Sequence, residues 1–180
     1  MRFIGIDPST KTGFVALDEH GNVLKQKELT GVGSVDPKRM ITLIDEVMDF
    51  IRPNDFIVIE GFGYASQQAV QLGGIGWGIR TGLARRGHSY IEASPSQLKK
   101  FASGKGNMKK DELAVHIYKN YGFEHSSDNV RDAYVLARIA VDLFKVQQGE
   151  IIAAYKRELE VIGAILNPKP KQKKKGAKMK

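Results

Sequence analysis

Apolar positions in the first third of the chain fall into short runs separated by turn residues, and only later take on helical spacing. Arg2 to Ile6 carries Phe, Ile, Gly and Ile, the form of a buried strand. Asp7 ends the run, and Pro8, Ser9 and Thr10 supply turn chemistry. Thr12 to Leu17 (TGFVAL) and Val23 to Thr30 (VLKQKELT) flank the turn Asp18 to Asn22, which predicts an antiparallel meander of three strands. Over Lys38 to Ile51, Met40, Ile41, Ile44, Val47, Met48 and Ile51 are spaced to share one helical face, and the helix ends before Pro53. Phe56 to Glu60 (FIVIE) is a continuous apolar run closing in an acid, as expected of a buried parallel strand behind a crossover helix. The order strand, strand, strand, helix, strand predicts an α/β domain.

Further along, GFGY at Gly61 to Tyr64 is a loop, followed by a helix expected from about Ser66 to Arg86. Gly73, Gly74, Gly76, Gly78 and Gly82 weaken that helix by roughly 1 kcal/mol each relative to alanine. They imply close packing of another helix, from this chain or a symmetry mate, unless part of the stretch is loop. His88 to Ala93 reads as a short strand, and Ser94-Pro95 starts a helix ending near Phe101. SGKGN, Ser103 to Asn107, is a basic loop that lacks the GK[ST] of a Walker A motif. Helices are expected over Lys109 to Tyr121, over about Asp128 to Val146 with a stripe of Val130, Tyr134, Ala137, Val141 and Phe144, and over Glu150 to Leu166. The expected organisation is a body over 1–148, an amphipathic helix over 149–167 and a basic disordered tail over 168–180.

The 180 residues suit one core, and the absence of cysteine excludes a disulfide framework, a thiolate nucleophile and a Cys-type zinc site. No apolar run approaches the ~20 residues of a membrane span, so a cytoplasmic protein is expected. The net charge of +8 is unevenly placed: Pro168 to Lys180 holds seven lysines and no acid, and setting these aside leaves 21 basic against 20 acidic residues. Such a tail favours polyanions through counterion release, or serves only solubility.

Asp7 and Glu60 each close an apolar strand, so in neighbouring strands both carboxylates emerge at one sheet edge. Asp128 and Asp132 are four residues apart, which sets them on one helical face at ~5–6 Å between Cβ atoms. Taken singly each acid has an ordinary explanation, and Asp128 suits a helix cap. Together, without Cys or HExxH, they point to magnesium or manganese rather than zinc, and to hydrolysis of a phosphodiester. His88, His116 and His125 read as structural.

GIDPSTKTGF at Gly5 to Phe14, IVIEGFGY at Ile57 to Tyr64, QQAVQLGGIGWGIR at Gln67 to Arg80, PSQLKKFASGKGNMKKDEL at Pro95 to Leu113 and DNVRDAYVLA at Asp128 to Ala137 resemble the successive motifs of RuvC-type Holliday junction resolvases, with the phage branch nearest. The resemblance implies a ribonuclease H-like fold with a mixed five-stranded sheet, three antiparallel strands and then parallel additions, flanked by helices. It also implies a homodimer and magnesium-dependent paired nicking of four-way DNA junctions. Asp7, Glu60 and Asp132 match three members of the family's acidic tetrad. The family's spacing of the last two aspartates falls on Asn129, whereas the available carboxylate is Asp128; Asp128 is taken as the fourth ligand.

Phe62 and Tyr64 follow Glu60 on a glycine-rich loop, where an exposed ring would stack on a junction base, worth ~1–3 kcal/mol; at least one of the two is expected to pack on the sheet instead. Lys99, Lys100, Lys105, Lys109 and Lys110 bracket the SGKGN loop, and Lys99 and Lys110 align best with family lysines near the scissile phosphate. The expected function is a structure-selective DNA endonuclease. The alternatives are a nuclease of broader range, acting on flaps, branched DNA or RNA, and a junction-binding protein without catalysis. An actin-like kinase is excluded, since its two domains do not fit in 180 residues.

Overall fold

The computed structural model describes residues 1–62, 68–152 and 154–168. A mixed sheet runs through it. β1 (Phe3–Asp7), β2 (Thr12–Leu17) and β3 (Val23–Leu29) form the antiparallel meander, and β4 (Phe56–Glu60) and β5 (Tyr90–Ala93) add in parallel, giving the order β3-β2-β1-β4-β5. Helices α1 (Lys38–Phe50) and α2 (Ala69–Arg85) cover one face. The other carries α3 (Pro95–Ser103), α4 (Lys110–Tyr121), α5 (Asp128–Gln147) and α6 (Lys156–Leu166).

The two-residue period of the strands decides which side chain goes to which layer. Ile4, Ile6, Phe14, Ala16, Ile57 and Ile59 pack beneath α1 and α2, while Phe3, Val15, Leu17 and Val58 pack beneath α5. By the same alternation Gly5 and Asp7 on β1, and Glu60 on β4, belong to the α5 face. Helix α5 lies unusually close to the sheet there. A Cβ added at Gly5 would come within 1.9 Å of the Ala133 carbonyl oxygen, and one at Gly13 within 2.0 Å of that of Asn129. Only hydrogen at both positions lets the helix backbone approach the strands.

The glycines of α2 have a partner in this chain. A Cβ at Gly74, Gly78 or Gly82 would meet Met40 at 3.2 Å, Ile44 at 2.2 Å or Met48 at 2.8 Å, so α1 side chains fill the spaces that the glycines leave.

Three expectations need correction. On α1 the inward face carries Leu43 with Val47 and Met48, while Ile41 falls on the side of exposed Asp45 and is itself exposed. His88 lies in the turn before β5 rather than in the strand. The last helix starts at Lys156, not Glu150. Gly149, at φ +78°, ends the preceding segment, and the new helix begins where Glu158 accepts from the Tyr155 N–H at 2.8 Å and from the Tyr121 hydroxyl at 2.6 Å. Val161 and Ile162 then join the core beneath α3 and α5, so α6 folds back on the body. Among the described residues no helix is long and apolar enough to cross a membrane.

Candidate active site

The parallel register of β1 and β4 pairs Ile6 with Ile59, so the next residues on each strand are Asp7 and Glu60. Pro8 removes the N–H that would continue the β1 ladder, and the chain turns through Ser9 to Lys11. That turn is tied down: the buried Thr12 hydroxyl donates to the Ser9 carbonyl at 2.7 Å, and the Ser9 hydroxyl accepts from the Lys11 N–H at 3.2 Å. Helix α5 starts beside it. Its cap is Ser127, whose hydroxyl accepts from the Val130 N–H at 3.4 Å, so Asp128 is freed from the capping role expected of it and sits in the first turn. The Asn129 side-chain amide donates to the Lys11 carbonyl at 2.8 Å and joins helix to turn.

These elements enclose a cavity of about 460 Å³ lined by Asp7, Glu60, Asp132, Asn129, Lys99 and Lys110, with Phe62, Trp77 and Arg80 along one wall. Asp128 is outside this lining. Its carboxylate pairs with the Lys110 ammonium at the rim.

The acids are held against their ordinary ionisation. Burial raises the Asp7 carboxyl well above its usual range, and the charge and hydrogen bond of Glu60 push the same way. Burial also lifts Glu60 to about 7, with the Asp7 hydrogen bond opposing and the Asp132 charge adding to the rise. Asp132 is raised to about 7 by burial and then by the charge of Asp7. Burial and mutual repulsion thus disfavour full ionisation of the Asp7 and Glu60 pair. Asp128 is lowered by its bond to Lys110. Burial works against the Lys110 charge, but Asp128, Asp132 and Asp7 outweigh it and hold the ammonium above the ordinary lysine range.

Of the lysines expected near DNA, Lys99 and Lys110 line the cavity, Lys100 is paired with Glu160 of α6 at 2.8 Å, and Lys105 and Lys109 lie outside the lining. Phe62 is packed down: its ring covers the Arg80 guanidinium at 4.2 Å and leans on Trp77 at 5.4 Å. Tyr64 and the tail lysines from Lys169 onward lie outside the described residues. His88, His116 and His125 are away from the cavity, and His125 Nδ1 accepts from the Ser127 N–H at 3.0 Å. Sequence reasoning passed over Trp77 and Arg80. The available signal was one arginine inside the apolar run GIGWGIRTGLA.

No family model matches the chain. The crossover junction endodeoxyribonuclease RuvC of Campylobacter hominis is 26% identical over 149 residues, an alignment spanning 76% of this chain and 93% of that protein. The Thermus thermophilus RuvC structure superposes with a TM-score of 0.64 at 19% identity, covering 83% of this chain and 97% of that one. T. thermophilus RuvC in complex with Holliday junction substrate gives 0.62 at 20% identity, with 83% and 96% covered. The chain is similar to RuvC proteins in sequence and in fold. Its mixed sheet between helical layers is the ribonuclease H-like fold.

The fourth acidic position that the resemblance implies falls between two neighbours in this chain. Asn129 faces the cavity but anchors the Lys11 turn, and Asp128 carries the charge but spends it on Lys110. Among the described residues no three carboxylate or histidine groups are already spaced as a finished coordination shell.

Proposed function

We propose that this protein resolves four-way DNA junctions as a homodimer, by magnesium-dependent nicking of opposite strands, in the cytoplasm of a bacterial or phage-infected cell. The observation that carries this reading is the convergence of Asp7, Glu60 and Asp132 in one cavity walled by Lys99 and Lys110. The donor set fits a divalent cation because three carboxylates line one cavity, and a bound cation would offset the negative charge that burial disfavours there. When bound, magnesium, or manganese in its place, supplies charge stabilisation and an activated water for in-line phosphate displacement. The residues supply the rest. Asp7, Glu60 and Asp132, with Asp128 or Asn129 as the fourth group, would hold the cation. Lys99 and Lys110 attract the phosphate, and Lys110 is released from Asp128 as the phosphate takes its place.

A labelled mobile four-way junction incubated with protein and magnesium is expected to give paired nicks at related positions in opposite strands. Equal cutting of flaps and single strands would replace this reading with a broader nuclease, and binding without cutting in both magnesium and manganese would reduce it to a junction-binding protein. Lys110→Ala is expected to lower cleavage about 10–100-fold and to reduce the slope of log affinity against log salt by about 1. A salt slope identical to wild type would remove Lys110 from the phosphate contacts.

Stability carries a second expectation. A carboxyl whose folded pKa is raised binds its proton more tightly in the native state, so its contribution is complete at acid pH and is lost as pH rises through the folded value. For Glu60 and Asp132 that window runs from the ordinary carboxylate range up to about 7. The metal-free protein is therefore expected to melt lower at pH 8 than at pH 5.5. Magnesium should recover more of the loss at pH 8. Asp142, raised to about 6 by burial farther along α5, adds to the loss but is not rescued by metal. Melting curves with and without magnesium at both pH values check this, and a metal effect independent of pH would contradict it.

A further inference from the structure

Arg80 is the largest fully buried side chain, at 2% exposure, and the only arginine among the buried residues described. It stands on α2 between Ile79 and Thr81, on a helix whose inward positions Ile75, Ile79 and Leu83 are apolar. A methionine or leucine would pack there without the desolvation cost of a guanidinium, and buried ion pairs seldom repay that cost in stability. The bonds that Arg80 makes explain its presence better. Its Nη2 donates to the main-chain carbonyl of Glu60 at 2.8 Å, its Nε to Glu92 on β5 at 2.6 Å, and its Nη1 to the Gly76 carbonyl at 3.0 Å. The Phe62 ring lies on the guanidinium face at 4.2 Å and over Gly76, where a Cβ would come within 2.6 Å of the ring. Gly76 and Arg80, one helical turn apart, thus form a seat for Phe62.

We infer that Arg80, neutralised by Glu92, is a positioning residue that clamps the end of β4, fixing the Glu60 carboxylate and the Phe62 ring as one unit at the wall of the cavity. The inference rests on the junction-nuclease reading and deepens it. Arg80 acts through the Glu60 main chain and the Phe62 ring. Lysine cannot replace it, because an ammonium lacks the planar fork that reaches the Glu60 carbonyl and Glu92 together while presenting a flat face to a ring.

The test uses the full-length protein and its single tryptophan, Trp77, whose ring sits 5.4 Å from Phe62 and so reports the seat directly. Arg80→Lys is expected to lower single-turnover junction cleavage about 100-fold, the scale of an ångström-sized misplacement, while the junction Kd in calcium stays within about threefold. The same variant should change Trp77 emission and acrylamide quenching, and weaken manganese binding measured by calorimetry. Glu92→Gln, which keeps an acceptor for Nε, should cost less than about tenfold. Wild-type cleavage by a folded Arg80→Lys protein would overturn the clamp. So would a parallel loss of cleavage, junction binding and melting temperature in Arg80→Lys, because that pattern marks a purely structural arginine. If the wild-type protein cuts no junction, the nuclease reading fails; the clamp is then judged separately, supported by altered Trp77 emission and weakened manganese binding in Arg80→Lys and overturned by their absence.

Discussion

Asp132→Asn should abolish junction cleavage, by about 10³-fold or more, which corresponds to roughly 4 kcal/mol in the barrier. It should leave junction binding within about threefold of wild type. The amide matches the carboxylate in shape, so the second turn of α5 stays in place and only the charge available to a cation is lost. The same change should stabilise the metal-free protein. Asp132 is raised from 3.8 to about 7, so at pH 8 its ionisation is a burden on the fold. Removing it is worth about 1–3 kcal/mol after allowance for the polar group left behind, or a rise of roughly 2–12 °C in melting temperature for a chain of this size. A structural aspartate would behave in the opposite way, retaining activity and losing stability on substitution. Normal cleavage by this variant would remove Asp132 from the site. Comparison of Asp128→Ala with Asn129→Ala then identifies the fourth group: the true ligand should show the larger loss and a raised magnesium requirement.

The three antiparallel strands, the parallel return and Asp7 and Glu60 at one edge were legible because strands announce themselves within a few residues. Phe56 to Glu60 reads as buried whatever lies around it, and its final acid lies beside Asp7 once the strands are neighbours. Asp132 was legible through its position ahead of the apolar AYVLARIA run, together with the motif resemblance. Properties created by the third dimension were hidden. Local pattern alone does not separate Lys99, which lines the cavity, from Lys100, which pairs with Glu160 on a distant helix; only the motif resemblance singled out Lys99. That one of Phe62 and Tyr64 would pack down was expected, but not that Gly76 and Arg80 form the seat for Phe62. The start of the last helix was misplaced because the cap depends on Glu158 meeting Tyr121, a contact across 37 residues. The role of Asp128 turned on Ser127, an adjacent residue with equal claim to the cap.

Gly5→Ala is expected to be among the most damaging single substitutions in the body, although it adds only one methyl group. The new Cβ would stand 1.9 Å from the Ala133 carbonyl oxygen, 2.5 Å from the Ala137 nitrogen and 2.9 Å from the Leu136 Cβ. The first two of these are helix backbone, so no side-chain rotation relieves the overlap and α5 must move away from β1. Overpacking of this kind costs typically 1–3 kcal/mol and occasionally more; with two backbone clashes about 3 kcal/mol is expected, a fall of roughly 6–12 °C in melting temperature. The damage should reach the chemistry as well. Ala133 follows Asp132, so whatever lifts the helix from Gly5 also carries the Asp132 carboxylate away from Asp7. Folded Gly5→Ala protein, assayed well below its melting temperature, should therefore cleave more slowly than its folded fraction accounts for. Gly13→Ala should act at the neighbouring contact, against Asn129, whose amide ties the Lys11 turn to the helix. Gly163→Ala is the control: it lies in α6 with open space around the added methyl, and should gain about 0.5–1 kcal/mol from helix propensity. If Gly5→Ala instead melts with wild type, α5 does not lie against β1 as described, and the meeting of Asp7 with Asp132 loses its structural basis.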